Sequence, residues 1–466
     1  MSRHAAFVAL VLLATAASAQ KADGDRAAFR EVYRELVEID SSPTTGSCTR
    51  VVRAAEKRLA AAGFASENLA VVIPEGRPDD GNLVARIHAP NARKKGVLLL
   101  AHIDVVDAKR SDWERDPFTL VEENGFFYGR GAADDKAMAA VFLDLMIRLR
   151  QEKAFKPKRD LILALTCGEE TSNRVNGVDY LLKNRRPLID AAFAINEGAG
   201  GLLAADGDKH LVLQVQAGEK IHQVYELVVT HKGGHSSRPI RDNAIYHLAR
   251  AALKVDELEF PIQVTPVVRE YFRVTGPVLG GKIGNAMTAV AKDPQDADAL
   301  TVLRGDPSYN AILHTTCAAT QLEAGHAPNA LPQRASAILS CRVMQGTSPE
   351  EVKATLATAI GDPAVQVNIV RRREGSSAPP LSDEVMKPVR AAAAKLWPGV
   401  PIAPSMTAGA TDGRFLMTAG IPTYGMSGMF SVPGEVNAHG LNEKIRVKSL
   451  YEGREFLESI VRAYVK

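Results

Sequence analysis

Three short apolar stretches of the chain each run directly into residue types that bind metal ions or carry protons. These residues, with the stretch that precedes them, are His102 and Asp104 after 97–101, Glu169 and Glu170 after 161–167, and Glu197 after 191–195. Imidazole and carboxylate groups are common protein ligands of divalent ions such as zinc. With a further carboxylate as general base, such a group can activate water. The sequence therefore points to metal-assisted hydrolysis.

The alternation of side chains along an extended strand gives neighbouring residues different tasks. His102 and Asp104 are two positions apart and point the same way, so Asp104 is expected to orient the imidazole and raise its basicity. Glu169 and Glu170 are adjacent and point in different directions. One of them can bind a metal ion while the other faces the substrate as a general base.

A glycine-rich loop, residues 129–136, lies between the first two stretches and carries Asp134. The loop leads into a helical pattern, so this carboxylate can enter the same crevice. Each feature alone has an ordinary explanation: a surface hydrogen-bonded pair, a solvated helix start or a plain turn. Three successive strands that deliver metal-ligand residue types at one edge of a sheet favour a site.

The elements that must position these residues alternate between strand and helix. The apolar stretches predict buried parallel strands, because they are short and continuous. Helical periodicity predicts helices over 26–39, 50–62, 136–150, 177–184 and 447–464. The expected class is α/β, with a mainly parallel sheet covered by helices on both faces. Ligands bind such sheets beyond the carboxyl ends of the strands.

The pattern changes in the middle of the chain, where an inserted α+β module with its own sheet is predicted. It consists of strand-like segments at 225–229, 335–343 and 365–370, and of helices near 243–256 and 349–361. A length of 466 residues fits two domains. We expect a catalytic domain in two parts, 20–220 and 377–466, interrupted by a module over 221–376.

Composition and the N-terminus indicate an exported soluble protein. The chain is 46% hydrophobic and 24% charged, with a net charge of +3, and has no basic run typical of nucleic-acid binding. An apolar run followed by Ala17-Ser18-Ala19 predicts a signal peptide over 1–19. A membrane anchor is the alternative, but the run is shorter than the roughly 20 residues that span a bilayer. The expected location is periplasmic or secreted, without membrane association after cleavage.

The chain has four cysteines, Cys48, Cys167, Cys317 and Cys341, and no CxxC pair. Buried thiols are the default expectation. Export permits a bridge, and Cys317 with Cys341 is the pair to test, since both lie in strand-like segments of one region.

Taken in order, the motifs resemble those of the M20 metallopeptidase family, which includes glutamate carboxypeptidases, carnosine dipeptidases, aminoacylases and succinyl-diaminopimelate desuccinylases. The resemblance covers essentially the mature chain. Its carriers are AHIDVV at 101–106, the loop 129–136, Glu169-Glu170, NEG at 196–198, GHSSxP at 234–239 and AHGLNE at 438–443. It implies a zinc-peptidase-like fold with an inserted lid and dimerisation domain, and hence a homodimer.

The resemblance also implies two divalent metal ions, with zinc expected and cobalt or manganese as alternatives. They would be held by five side chains: Asp134 as the bridge, His102 and Glu197 at one ion, and Glu170 and His439 at the other. Two divalent ions, three carboxylates and one bridging hydroxide would sum to zero charge, which suits a buried crevice. Glu169 would be the general base. Family structures suggest a cis peptide between Asp134 and Asp135.

Four further residues acquire roles from the resemblance. His235 would reach the active site of a partner subunit and help to bind the developing oxyanion. Arg342 would clamp the free carboxylate of the substrate. Asn329 and Gly409 match segments on the substrate side. A capped turn histidine, a surface arginine and ordinary turn residues are the alternative explanations.

The expected function is hydrolysis of an amide bond in small peptides, of the dipeptidase or carboxypeptidase type, by a metal-bridging hydroxide with Glu169 as general base. The alternative within the class is an N-acyl-amino-acid deacylase, since pocket shape decides between the two. An exported binding protein without turnover is the alternative from another class. Such a binding protein would be expected to lack Glu169 or one of the ligand residues, and this sequence has all of them.

Overall fold

The computed structural model describes residues 24–171, 173–372 and 378–466. The expected signal peptide, 1–19, lies outside these residues, and so does the expected boundary between 376 and 377. In the part of the chain that is described, no helix combines the length and the apolar character needed to cross a bilayer.

The described residues form nineteen strands. In chain order they are β1 (Leu69–Val72), β2 (Asn82–Ile87), β3 (Val97–His102), β4 (Val121–Glu123), β5 (Phe126–Tyr128), β6 (Leu161–Thr166), β7 (Phe193–Asn196), β8 (Gly201–Leu203), β9 (His210–Glu219), β10 (Ile221–Thr230), β11 (Gly234–His235), β12 (Thr316–Ala324), β13 (Ala330–Leu331), β14 (Arg334–Val343), β15 (Val365–Arg371), β16 (Ile402–Thr407), β17 (Thr423–Gly425), β18 (Phe430–Ser431) and β19 (Lys444–Arg446).

The helices of the described residues agree with the sequence where helices were predicted. In chain order they are α1 (24–38) and α2 (Cys48–Ala61), α3 (Lys136–Gln151), α4 (Gly177–Asn184), α5 (Ala244–Asp256), α6 (Pro266–Leu279), α7 (Gly281–Lys292), α8 (Ala297–Arg304), α9 (Pro307–Leu313), α10 (Pro349–Ile360), α11 (Asp383–Leu396), α12 (Gly413–Thr418) and α13 (Val447–Tyr464). Each predicted helix is confirmed to within two residues at either end.

The largest sheet has the strand order β1-β2-β6-β3-β7-β17-β9-β8-β18, and β16 also pairs with β9. Its central strands β6, β3, β7 and β17 are parallel, whereas β1 and β2 are antiparallel. Alternate side chains of β3 enter different cores: Leu99 shares a core with Phe142 of α3, and Leu98 shares another with Leu181 of α4. The expected mainly parallel sheet with helices on both faces is confirmed.

A second sheet lies in the middle of the chain, with the order β12-β14-β10-β15 and antiparallel pairing throughout. Two helices, α5 and α10, cover one of its faces. Tyr225 and Leu227 of β10 are buried there with Leu248 of α5 and Leu356 of α10. The alternating burial of β10 and β14 is what a sheet with one covered face requires.

The four helices α6 to α9 were not predicted from the sequence. In the chain these helices lie between strands of the second sheet, β10 and β12. They nevertheless pack on β9 and β16 of the large sheet. Their core contains Phe272, Met287 and Leu303, together with Val212 of β9 and Met406 of β16. Helices from the middle of the chain therefore also cover part of the large sheet.

Two disulfides join the cysteines, Cys48 with Cys167 and Cys317 with Cys341. The default expectation of buried thiols is wrong, and the pair singled out for testing is confirmed. Cys317 and Cys341 are direct partners in the β12–β14 register. Cys48 and Cys167 are 119 residues apart, and only the packing of α2 near the end of β6 brings them together.

Candidate metal centre

The parallel register of the large sheet brings the ends of three strands to one edge. His102 is the last residue of β3 and lies beside Thr166, the last residue of β6. Glu197 directly follows β7, which is the neighbour of β3 on its other side. The side chains that follow these strands therefore enter the same crevice, as expected for an open parallel sheet.

Asp134 lies between two histidines. Its Oδ1 is 3.0 Å from Nε2 of His102, and its Oδ2 is 3.1 Å from Nε2 of His439. The same nitrogen of His439 is 2.9 Å from an oxygen of Glu170, and Nε2 of His102 is 3.7 Å from an oxygen of Glu197. Asp134 thus links a His102–Glu197 pair to a His439–Glu170 pair. We refer to these five side chains as the ligand candidates.

Asp104 is fully buried, and it positions both the imidazole of His102 and the turn that contains Glu169 and Glu170. Nδ1 of His102 is 3.1 Å from the backbone carbonyl of Asp104 and 3.7 Å from its carboxylate. The carboxylate accepts hydrogen bonds from the backbone N–H groups of Glu169 and Glu170, at 3.3 and 3.0 Å. One buried acid therefore fixes both the end of β3 and the Glu169-Glu170 turn after β6.

A buried ion pair holds the two loops that carry Asp134 and His439. Both carboxylate oxygens of Glu443 accept hydrogen bonds from backbone N–H groups of the loop 131–134, and Arg130 donates to one of them at 2.7 Å. Arg130 also donates to the carbonyls of His439 and Gly440. His439 has φ of 62°, a left-handed conformation uncommon outside glycine. The peptide bond between Asp134 and Asp135, within the first loop, is cis, as expected.

Negative charge is crowded at this edge of the sheet. Burial raises the pKa of Glu169 well above its usual range, and the nearby Glu197 adds to the rise. Burial likewise raises the pKa of Glu197 and of Asp135. Hydrogen bonds to Asp134 and Glu170 raise the pKa of His439 to about 10. Adjacent carboxylates repel one another and resist being charged together. Bound cations would remove this repulsion, so the site favours cation binding.

The donor set fits divalent metal ions. Potential ligand atoms of His102, Asp134 and Glu170 lie within 4.8 Å of one another, and those of His102, Glu169 and Glu197 form a second such group. Nitrogen and oxygen donors of this kind suit zinc and other first-row ions.

Glu169 lies near the ligand candidates and near two arginines, Arg414 and Arg342. Its Oε1 is 3.9 Å from a guanidinium nitrogen of Arg414. Arg342, at the end of β14, is half-buried, and burial lowers its pKa, with Arg414 lowering it further and Glu169 opposing the change. The second sheet therefore delivers one arginine, and the segment after β16 another, to the general-base candidate.

Asn329 and His235 lie together, and neither lines the cavity that contains Asp134 and Glu197. β11, which contains His235, pairs with β13, and the N–H of Ser236 donates to the carbonyl of Asn329 at 3.0 Å. The His235 side chain is exposed and its Nδ1 is 2.8 Å from the hydroxyl of Ser237. Gly409 instead lines a cavity of about 500 Å³ that also contains Asp134 and Glu197.

Three residues that shape the site were not singled out from the sequence. Glu443 closes the AHGLNE motif, and Arg130 lies in the glycine-rich loop, but neither had been given a role. Arg414 directly follows the segment that begins at Gly409. Arg130 and Glu443 are 313 residues apart in the chain, so helix or strand periodicity cannot reveal that they pair. Only their position inside the motifs could have suggested a role for them.

The comparison with known families agrees with this geometry. The model of peptidase family M20/M25/M40 matches residues 98–463. The chain belongs to this family. It is therefore an M20-type metallopeptidase or amidohydrolase, and the binding protein without turnover loses its support.

Three similar proteins illustrate the range of the family. The chain is 27% identical over 380 residues to the human "N-fatty-acyl-amino acid synthase/hydrolase PM20D1", covering 78% of this chain and 73% of the relative. It is 26% identical to "Probable carboxypeptidase S-like 2" of Dictyostelium discoideum, covering 79% and 71%. The solved M20 metallo-carboxypeptidase Sso-CP2 of Sulfolobus solfataricus has a TM-score of 0.68 at 21% identity, covering 94% of this chain and 99% of that one.

We expect Glu443→Gln to weaken metal retention. The hydrogen-bond partners of the Glu443 carboxylate are all donors. In the glutamine variant the side-chain NH2 would therefore face another donor. Breaking a buried ion pair costs about 3–5 kcal/mol. The measurements are metal content after desalting and the free energy of unfolding in urea.

The matched control is Asp144→Asn, which breaks a buried ion pair with Arg454 between α3 and α13, outside the loops that carry Asp134 and His439. Equal metal content and stability in both variants would show that Glu443 does not organise the site.

Proposed function

We propose that this chain hydrolyses the amide bond of N-acyl amino acids that carry a free carboxylate, with two bound divalent ions. The observation that carries the proposal is the location of Glu169, which lies beside His102 and Glu197 and 3.9 Å from Arg414, with Arg342 near enough to interact electrostatically with both Glu169 and Arg414. Metal ligands, a proton carrier and a carboxylate-binding group are the three parts that this reaction needs.

The five ligand candidates would hold the ions in two groups joined by Asp134. When bound, the ions would polarise the scissile carbonyl and lower the pKa of the attacking water. This assignment rests on the two histidine–carboxylate pairs on either side of Asp134. Zinc is the proposed metal, with cobalt and manganese as the alternatives.

The chain itself would orient the substrate and move the proton. A guanidinium presents a planar fork to a carboxylate, and Arg342 and Arg414 together would hold the amino-acid end of the substrate. Glu169 would accept a proton from the attacking water and donate it to the leaving nitrogen. Asp104 would keep Glu169 in place through the backbone of the turn.

N-acyl amino acids are the first candidate substrate because relatives that cover most of this chain are named N-fatty-acyl-amino acid synthase/hydrolase. Short peptides with a free C-terminus are the second candidate, supported by the carboxypeptidase S-like relatives. Both kinds of substrate place a carboxylate next to the scissile amide, so the same arginines would serve either.

We also propose export and a homodimer. Two disulfides are typical of proteins in oxidising compartments. Tyr246 and Leu253, two turns apart on α5, are 55% and 62% exposed, and Leu322 on the edge strand β12 is 59% exposed. Such apolar side chains favour contact with a partner, which the proposed role of His235 requires. A mature N-terminus that retains residues 1–19, or a monomer mass by light scattering, would contradict the respective proposal.

Glu169→Gln should reduce turnover by about 100-fold or more, because a positioned acid–base group contributes about 100- to 10,000-fold. The substrate is an N-acetyl amino acid and the readout is kcat. Metal content should stay near that of the unchanged protein, since the other ligand candidates are untouched. Unchanged turnover would remove Glu169 from the mechanism.

Arg342→Ala and Arg414→Ala should each raise KM for a free-carboxylate substrate by about 10- to 100-fold, the range expected for a lost charged hydrogen bond. The same N-acetyl amino acid with its carboxylate converted to a primary amide serves as the comparison substrate. Arg334→Ala, at the other end of β14, is the matched control because Arg334 pairs with Glu226. Equal effects on the acid and the amide would exclude a carboxylate clamp.

A further inference from the structure

The Cys48–Cys167 disulfide lies next to the turn that carries Glu169. Cys167 directly follows β6 and is separated from Glu169 by a single residue, Gly168. Both cysteines are fully buried. Their sulfur atoms and a carboxylate oxygen of Asp104 lie within 4.8 Å of one another. Because Asp104 accepts hydrogen bonds from the backbone of the turn, the bridge adjoins both the turn and the acid that anchors it.

Gly168 gives the chain a pivot between the bridge and Glu169. Its φ is 83°, a left-handed conformation that glycine adopts without steric cost. The residue before it is held on both sides. The N–H of Cys167 donates to the side-chain oxygen of Asn82 at 3.0 Å, and its carbonyl accepts from the N–H of Gly177 at 2.7 Å. The bridge thus adds a covalent attachment at the last held position before the pivot.

Arg174, which follows the turn, is buried against the bridge. Its Nη1 lies 3.5 Å from Sγ of Cys48 and 3.4 Å from Sγ of Cys167. The same nitrogen pairs with the carboxylate of Asp80 at 3.1 Å. Its Nη2 donates to the carbonyl of Gly46, two residues before Cys48, at 3.0 Å. One cation and one covalent bond therefore hold the two joined segments at the same place.

The segment on the other side of the bridge leads to the end of β3. Cys48 begins α2, and the loop before it contains Ser41, whose hydroxyl donates to the carbonyl of Ile103 at 2.6 Å. Ile103 directly follows the ligand candidate His102. The bridge therefore connects the strand end that supplies His102 to the strand end that supplies Glu169.

The other disulfide has a different kind of location. Cys317 and Cys341 are direct partners in the antiparallel register of β12 and β14. Backbone hydrogen bonds of the ladder already hold these two strands together. The second bridge thus joins neighbours within one sheet, whereas the first joins two segments that meet at the metal centre.

We propose that the Cys48–Cys167 bridge is a positioning element of the active site, which holds Glu169 within reach of the attacking water. The inference rests on the proposed function, because it takes Glu169 as the general base. A general base must lie within hydrogen-bond reach of the proton that it accepts, and a misplacement of about 1 Å can reduce turnover about 100-fold. Without the bridge, the turn moves about Gly168 and Glu169 leaves the productive position.

The first experiment removes each bridge separately from the full chain, with zinc in excess. Cys48→Ala combined with Cys167→Ala should lower kcat for an N-acetyl amino acid by about 10-fold or more, because Glu169 is misplaced. KM should stay within about 2-fold, since the arginines proposed to bind the substrate carboxylate are distant and unchanged. Cys317→Ala combined with Cys341→Ala is the matched control and should keep the kcat of the unchanged protein.

Each protein is assayed well below its own unfolding temperature, with folding checked by circular dichroism. Cys48→Val combined with Cys167→Ala is the second variant, because valine fills more of the space that the sulfur atoms leave. A folded variant that lacks the Cys48–Cys167 bridge and keeps full kcat would overturn the inference and leave the proposed function standing. An equal loss of kcat in the matched control would also overturn it. No hydrolysis by the unchanged protein would overturn both.

A second experiment separates positioning of Glu169 from general loosening of the structure. The Cys48–Cys167 bridge is removed from protein that already carries Glu169→Gln. If the bridge acts through Glu169, the two changes are not additive, and loss of the bridge should lower the remaining kcat by less than about 2-fold. The same fold-loss of kcat with and without Glu169 would show that the bridge does not act through this residue and would overturn the inference.

Discussion

Crowding of carboxylates at one edge of a parallel sheet is the constraint on which the rest of this structure depends. Asp134, Glu169, Glu170 and Glu197 are half-buried there, beside the buried His102. Such a group is unfavourable without cations, because each charge loses hydration and repels the next. The surrounding structure must therefore hold the acids in place against their own repulsion.

Several buried groups supply that restraint through the backbone. Asp104 holds the turn of Glu169 and Glu170, and the Arg130–Glu443 pair holds the loops of Asp134 and His439. A buried ion pair adds little net stability compared with an apolar pair of the same size. Its value here is geometric, because its hydrogen bonds fix two loops from distant parts of the chain relative to each other.

The junction between the two sheets brings substrate-binding groups to this centre. Lys220 lies between β9 and β10, is fully buried, and donates to the carbonyls of Ala311 and His314 at 2.8 Å each. Burial lowers its pKa to about 7, and the nearby Arg342 contributes. The end of α9 is thereby tied to the connection between the sheets. The helix α9 and the strand that carries Arg342 are therefore both positioned next to Lys220.

The sequence by itself determined the α/β class, the helices that have clear amphipathic periodicity, and the family, because the residues that bind metals and the strands before them form local patterns in a fixed order. His102, Glu170 and Glu197 could be selected in this way, each next to a buried strand. The Cys317–Cys341 bridge was also suspected, since both cysteines lie in strands of one region.

Only the tertiary structure decided the contacts between segments far apart in the chain. The Cys48–Cys167 bridge, the Arg130–Glu443 pair and the approach of Arg414 to Glu169 join residues with no shared periodicity. The packing of α6 to α9 on the large sheet belongs to the same class, because an amphipathic pattern shows that a helix has a buried face but not which sheet that face covers. Local residue types determined what chemistry the site can perform, whereas long-range packing decided what surrounds it.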